Sequence, residues 1–318
     1  MMQTDFTRLV GCQHPLQQAA MGGVATPELA GAVARAGALG MLCEYAAEPA
    51  GERMTRALGL AGAAGTVGMG FFGFQIDSDL NTFELAASRL RVVEVFWSQP
   101  NAALVARARR SGSALVAWQV GSVEEAAAAA DAGCDFVVAQ GVEAGGHVRG
   151  TIPRAELLRS LLGRLSVPIV TAGGIAAAGD VAAAISAGAA AVRVGTRFVA
   201  TVESSAHPDY VAALLAAQSG EETVVTTAFS GGWPDAPHRV LRSAVERATS
   251  YPGDAVGFVV EQGRRRPVER FSVSTPHRNV AGEISAMALY AGTGVGAVTA
   301  IQPAADVVAD LVSGLTAG

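Results

Sequence analysis

Short apolar runs recur along the first two hundred or so positions, each bounded by glycine or polar residues. Eight of them read as strands buried on both faces: Leu16–Ala20, Leu39–Leu42, Val67–Phe74, Val92–Phe96, Ala114–Val120, Asp135–Ala139, Pro168–Ala172 and Ala190–Val194. Between them lie stretches with helical start and stop signals. Thr26 precedes Pro27 and a helix running to Ala36. Ser122 with Glu125 three residues on forms a capping box for a helix over Val123–Ala132. Further helices are expected over Pro49–Ala61, Leu80–Leu90, Asn101–Ser111, Pro153–Arg164 and Asp180–Ala187. Alternating strand and helix units argue for buried parallel strands, and eight units favour a (β/α)₈ barrel of the TIM type over a doubly wound sheet.

The pattern breaks beyond about residue 205. Leu241–Ala248, Ile284–Tyr290 and Ala304–Leu315 look helical, while 230–238 is irregular and polar. The expected division is a barrel over 1–222, completed by helices in 280–318, with a small cap or substrate domain over 223–279.

Composition narrows the function. Hydrophobic residues make up 50% of the 318 positions and charged residues 16%, so a large core is expected and disorder is not. A net charge of −5 gives no basic footprint for nucleic acid. No window is long and apolar enough to read as a membrane span, and the start lacks a signal-peptide layout, so a cytoplasmic protein is expected. Cys12, Cys43 and Cys134 form no CxxC and no disulfide framework. The chain contains no lysine, which excludes a Schiff base and a P-loop lysine. Its five histidines show no metal-ligand spacing.

In a barrel of this kind function belongs to the loops after the strands. After the sixth strand comes Gln140 and then a loop with Gly141, Gly145, Gly146 and Gly150, carrying Glu143 and His147. An imidazole there can move protons, with an ordinary pKa of about 6.5. Gly173 and Gly174 follow the seventh strand, Gly195 and Thr196 the eighth. These are the positions where such barrels hold a phosphate on backbone N–H groups. Met21, Gln75, Gln119, Gln140, Ala144 and Gly145 lie at the remaining strand ends. Amides and small residues suit a flat ring with alternating donors and acceptors, as on a flavin's pyrimidine edge.

The segments AAMGGVATPELAGAVARAGALGML, AQGVEAGGHVRG, TAGGIA and VRVGTRFVATVESSAHPDY together resemble the nitronate monooxygenase (2-nitropropane dioxygenase) family of FMN enzymes, itself similar to FMN-dependent enoyl-acyl-carrier-protein reductases. The resemblance covers roughly 10–210 and the tail ALYAGTGVG. It implies FMN, with its phosphate at Gly173, Gly174, Gly195 and Thr196. The ring is implied near Ala20, Met21, Gly22, Gln75, Gln119, Gln140, Ala144, Gly145 and Gly146. It implies His147 as the catalytic base. Three departures stand out: Gln119 where many members place a lysine, Gln75 where asparagine is commoner, and the GGWPDAPHR segment.

The expected activity is FMN-dependent oxidation of an alkyl nitronate or nitroalkane with O₂. The alternatives are an NAD(P)H-dependent reductase of an enoyl thioester or quinone, and a flavin-free phosphate-binding barrel. The expected partners are a small-molecule substrate and O₂, with neither nucleic acid nor membrane; a homodimer is the assembly to test.

Overall fold

The computed structural model describes residues 2–44, 48–112, 114–261 and 263–315. Eight parallel strands close into a barrel: β1 (Leu16–Gln18), β2 (Leu39–Cys43), β3 (Thr66–Phe72), β4 (Val92–Phe96), β5 (Leu115–Val120), β6 (Phe136–Gln140), β8 (Ile169–Ala172) and β9 (Ala191–Val194). A two-residue strand, β7 (Gly146–His147), lies in the loop after β6. Closure is made by β1, which pairs with β2 on one side and with β9 on the other.

The local chemistry of the connections works as the sequence indicates. The Thr26 hydroxyl accepts from the Leu29 N–H at 2.9 Å, and the Ser122 hydroxyl from the Glu125 N–H at 3.2 Å. Each satisfies a backbone donor that the first helical turn leaves unpaired. Gly133, at φ 90°, ends the helix Val123–Asp131 in the left-handed conformation and turns the chain into β6.

Side chains inside the barrel lie in layers. Met41, Val92, Ala117, Val138, Val170 and Ala191 pack together in the lower interior, with Phe6 and Val10 beneath them. Those two come from a helix, Asp5–Val10, that plugs the N-terminal end of the barrel. Phe6 meets Phe136 edge-on at 5.4 Å. The six-residue helix is too short for its periodicity to stand out in the sequence.

The later segment supplies five of the six strands of two three-stranded antiparallel sheets. In the first, β10 (Thr223–Thr226) pairs with β11 (His238–Leu241), which pairs with β7. In the second, β12 (Ala255–Glu261) lies between β13 (Arg264–Glu269) and β14 (Val280–Gly282). The second sheet thus takes a strand from just past residue 279. Two local expectations fail. The third strand stops at Phe72, and Gly73–Ser78 is helical, because Gln75 Oε1 accepts the Phe72 N–H at 2.9 Å and starts a turn. Ile284–Tyr290 is not one helix: only Ile284–Ala286 is a 3₁₀ turn, and the chain beyond it runs extended beside β11, where Val240 and Tyr290 form a bridge. No helix among the described residues is long and apolar enough to cross a membrane.

Candidate active site

The C-terminal mouth of the barrel holds a cavity of about 520 Å³, within the range of small-molecule sites. The fourteen residues that the resemblance assigns to cofactor and catalysis line it: Ala20, Met21, Gly22, Gln75, Gln119, Gln140, Ala144, Gly145, Gly146, His147, Gly173, Gly174, Gly195 and Thr196. They come from six different strand ends, so only closure of the barrel brings them together.

The glycines leave room rather than filling it. Gly174 has φ 69°, and a Cβ there would sit 2.7 Å from Thr293 Oγ1 and 3.2 Å from Glu143 Cβ. No other residue type fits without displacement. Gly145 serves a different end: a Cβ would meet the Gly292 nitrogen at 2.5 Å, so this glycine lets the 291–294 segment pack against the loop. The Thr293 N–H donates to the Glu143 carbonyl at 2.9 Å, and the Gly292 N–H to Thr196 Oγ1 at 3.0 Å. The tail motif of the chain is therefore built into the rim of the cavity. The Glu143 carboxylate accepts from the Arg154 N–H at 2.9 Å and 3.1 Å, at the start of the helix Arg154–Leu161. It holds the loop and is not among the lining residues.

The three lining amides are partly committed. Gln75 Oε1 caps Phe72, as above. Gln140 Nε2 donates to the His147 carbonyl at 2.8 Å and Oε1 accepts from the Arg149 N–H at 3.3 Å, so Gln140 sets the course of the histidine loop. Gln119 Oε1 accepts from Arg193 Nη1.

His147 lies on β7 opposite His238 of β11. Its ring stacks on Trp233 at 3.9 Å and meets Tyr290 at 5.7 Å and Trp97 at 5.9 Å. Phe72 and Phe74 lie 4.7 and 5.1 Å from Trp233. Inside this enclosure Nε2 of His147 is buried and has no hydrogen-bond partner among the described residues. Burial, and secondarily the neighbouring His238, push the imidazole pKa down to about 3. This corrects the expectation of an ordinary histidine: loss of water around the ring disfavours its charged form. His238 is itself buried. Its Nε2 accepts the Phe229 N–H at 3.2 Å, and Nδ1 lies 2.9 Å from the Ala236 carbonyl, which fixes a neutral tautomer with the proton on Nδ1. Burial lowers its pKa also.

The other histidines stand apart. His207 Nδ1 accepts the Asp209 N–H at 3.1 Å and caps the helix Pro208–Ala216. His277 is not among the lining residues, although its ring edge would stand 3.7 Å from a Cβ on Gly23.

Sequence reading passed over Arg193 and Glu94, which line the cavity from the middle of two apolar strands. The signal was present: a lone charge within VEV and within VRV, at positions whose alternation faces the barrel interior. Tyr290 was missed for want of any pattern. Its hydroxyl donates to the Val273 carbonyl at 2.8 Å, which ties it to the segment above the mouth.

A family profile described as nitronate monooxygenase matches residues 3–64 and 73–314. The chain is 33% identical over 262 residues to the (3aS,4S,5R,7aS)-5-hydroxy-7a-methyl-1-oxo-octahydro-1H-indene-4-carboxyl-CoA dehydrogenase of Rhodococcus jostii, covering 81% of this chain and 71% of that protein. It is 34% identical over 278 residues to the nitronate monooxygenase of Pseudomonas aeruginosa, covering 72% and 78%. Among solved structures, the nitroalkane oxidase from Streptomyces ansochromogenes superposes with a TM-score of 0.75 at 29% identity, over 98% of this chain and 97% of that one.

Proposed function

The chain belongs to the nitronate monooxygenase family and is an oxidoreductase; from that premise we propose that it oxidises preformed alkyl nitronates with O₂, using FMN held in the cavity at the barrel mouth. The residues present fit this cofactor. Gly173 and Gly174 have φ 117° and 69°, and side chains at either would intrude on the loop 141–144 or on Thr293, so the backbone here is left bare for a phosphate. Gly195 and Thr196 would hold the phosphate from the neighbouring strand end. Gln75, Gln119 and Gln140, with Ala20, Met21, Gly22, Ala144, Gly145 and Gly146, would surround the ring. Bound there, FMN would supply the two-electron oxidation of the substrate and the reaction with O₂.

The observation that carries the choice of substrate is the state of His147. Its Nε2 is buried, unpartnered among the described residues and held neutral by its surroundings. A base whose conjugate acid is this strong gains little by taking a proton from carbon, because base catalysis works best with a pKa near the working pH. A nitronate has already lost that proton. His147 would then line the substrate's place as a neutral ring, while the aromatic walls exclude water from the reacting carbon.

A second reading rests on the Rhodococcus jostii relative, which is a dehydrogenase of an acyl-CoA. An acyl thioester is also acidified at the carbon next to its carbonyl, so the same cavity could serve an α-carbanion of that class. The test is anaerobic mixing of the FMN-loaded protein with an alkyl nitronate, the parent nitroalkane, an acyl-CoA and NADPH in separate cuvettes. Rapid loss of flavin absorbance with the nitronate and slow loss with the others is the expected result. Rapid loss with the acyl-CoA or NADPH alone would overturn the proposal in favour of the second reading or of a nicotinamide-dependent reductase.

A further inference from the structure

The interior of this barrel changes character one layer below the cavity. The lower layer is aliphatic, as barrel interiors are. Above it, Arg193 on β9 and Glu94 on β4 reach across the lumen from opposite walls, Nη1 to Oε1 at 2.7 Å. Both are buried, at 7% and 1% exposure. Glu94 Oε2 accepts from Gln17 Nε2 at 2.8 Å, and Arg193 Nη1 also reaches Gln119. Four side chains from β1, β4, β5 and β9 thus make one polar floor.

A buried ion pair in place of packed aliphatic side chains is seldom a gain in stability, since desolvation offsets the attraction. Its position has another consequence. Among the described residues lining the cavity, Arg193 is the only arginine and Glu94 the only carboxylate, and the chain has no lysine. Any charge gained by a ligand in the mouth is therefore felt first by this pair, in a setting where water screens little.

We propose that Arg193 is the residue that sets the reduction potential of the cofactor in this chain, with Glu94 opposing it and fixing its guanidinium at the floor of the site. The proposal rests on FMN occupying the cavity. Reduction gives the flavin ring negative charge, so the reduced form should depend on Arg193 more than the oxidised form does. The two members of the pair must then act with opposite sign. Loss of the cation should disfavour reduction. Loss of the anion, with the cation kept, should favour it. A merely structural pair would show no such opposition.

The experiment measures FMN affinity by quenching of flavin fluorescence, and midpoint potential by equilibration with reference dyes, in wild type, Arg193→Met, Glu94→Gln and the double variant. Arg193→Met is expected to weaken binding of reduced relative to oxidised FMN by about tenfold, a midpoint potential lower by about 30 mV for a two-electron couple. Glu94→Gln is expected to raise the potential by a similar amount. The double variant, which leaves neither charge unpaired, should fall between the single variants, and Glu94→Gln keeps the test open if Arg193→Met does not fold. Shifts of the two single variants in the same direction, or no shift in Glu94→Gln, would overturn the proposal. A wild-type protein that binds no FMN would instead overturn the cofactor reading on which it rests.

Discussion

The His147 ring lies 3.9 Å from the Trp233 ring, the two planes 25° apart. The stack joins the loop after β6 to the irregular segment that departs from the family pattern. It is part of why the imidazole cannot keep its charge. Trp233→Ala should admit water to the ring and bring the His147 pKa back toward its ordinary value of about 6.5. A histidine C–H proton titration by NMR follows this directly. An unchanged titration in the variant would mean that other walls, Tyr290 and Trp97 among them, dry the site without Trp233.

The lowered pKa also fixes the expected pH profile. A pKa of about 3 leaves His147 neutral at every pH from about 5 upward. Turnover of a preformed nitronate should therefore show no break near pH 6.5, and wild type should prefer the nitronate to the parent nitroalkane by at least about a hundredfold, the scale of a missing base. Oxygen uptake on both substrate forms between pH 5.5 and 8 measures this (~, the range in which an ordinary imidazole titrates). A break near 6.5 that disappears in His147→Ala would show that the bound substrate restores the imidazole to a working base.

The proposed phosphate cradle gives a third expectation. Gly174→Asp adds a Cβ 2.7 Å from Thr293 Oγ1 at a φ of 69°, and a carboxylate beside the bare backbone. Repulsion and lost charge-assisted hydrogen bonds, roughly 1.5–3 kcal/mol each, should reduce FMN affinity by tenfold or more. Gly163→Ala is the control. It shares a positive φ of 76°, no described atom lies within 4 Å of an added Cβ, and it is not among the residues lining the cavity. It should cost about 1 kcal/mol of stability through backbone strain and leave the affinity for FMN close to wild type. Equal loss of FMN in both variants would place the phosphate elsewhere.

The barrel was legible because its strands are bounded apolar runs and its helices carry their own caps, as at Thr26 and Ser122. Candidate lining residues were legible for the same reason: once the strands are placed, their C-terminal ends are placed too. What could not be read was contact between remote segments. Nothing in the sequence around Gly145 announces that Gly292 packs against it. Nothing at His238 announces pairing with His147 across 91 positions of chain. The ordinary pKa expected for His147 failed on this point, since burial is a property of the assembled aromatic wall. Arg193 and Glu94 are the intermediate case. Each charge was visible as an anomaly in its strand, but only the closed barrel sets one against the other.

The same two histidines make a prediction about stability. In the folded chain His147 is held at a pKa of about 3, and His238 below its ordinary value, both chiefly by burial. In the unfolded chain each returns to about 6.5. Between those limits the unfolded state binds more protons than the folded state, so stability rises with pH across the window. Stability is fully present above about pH 7 and is lost as pH falls from about 6.5, each histidine contributing up to about 1.4 kcal/mol per pH unit. Between pH 7 and 5 ordinary carboxylates stay largely ionised, so the histidines should dominate the slope there (~, from their reference pKa values). His147→Phe keeps a flat ring against Trp233 and removes one titrating group. Its unfolding free energy from urea titrations should therefore fall less steeply from pH 7 to pH 5 than that of wild type. Equal slopes for the two proteins would mean that His147 is protonated in the folded state as readily as in the unfolded chain, and that the aromatic enclosure does not keep it dry.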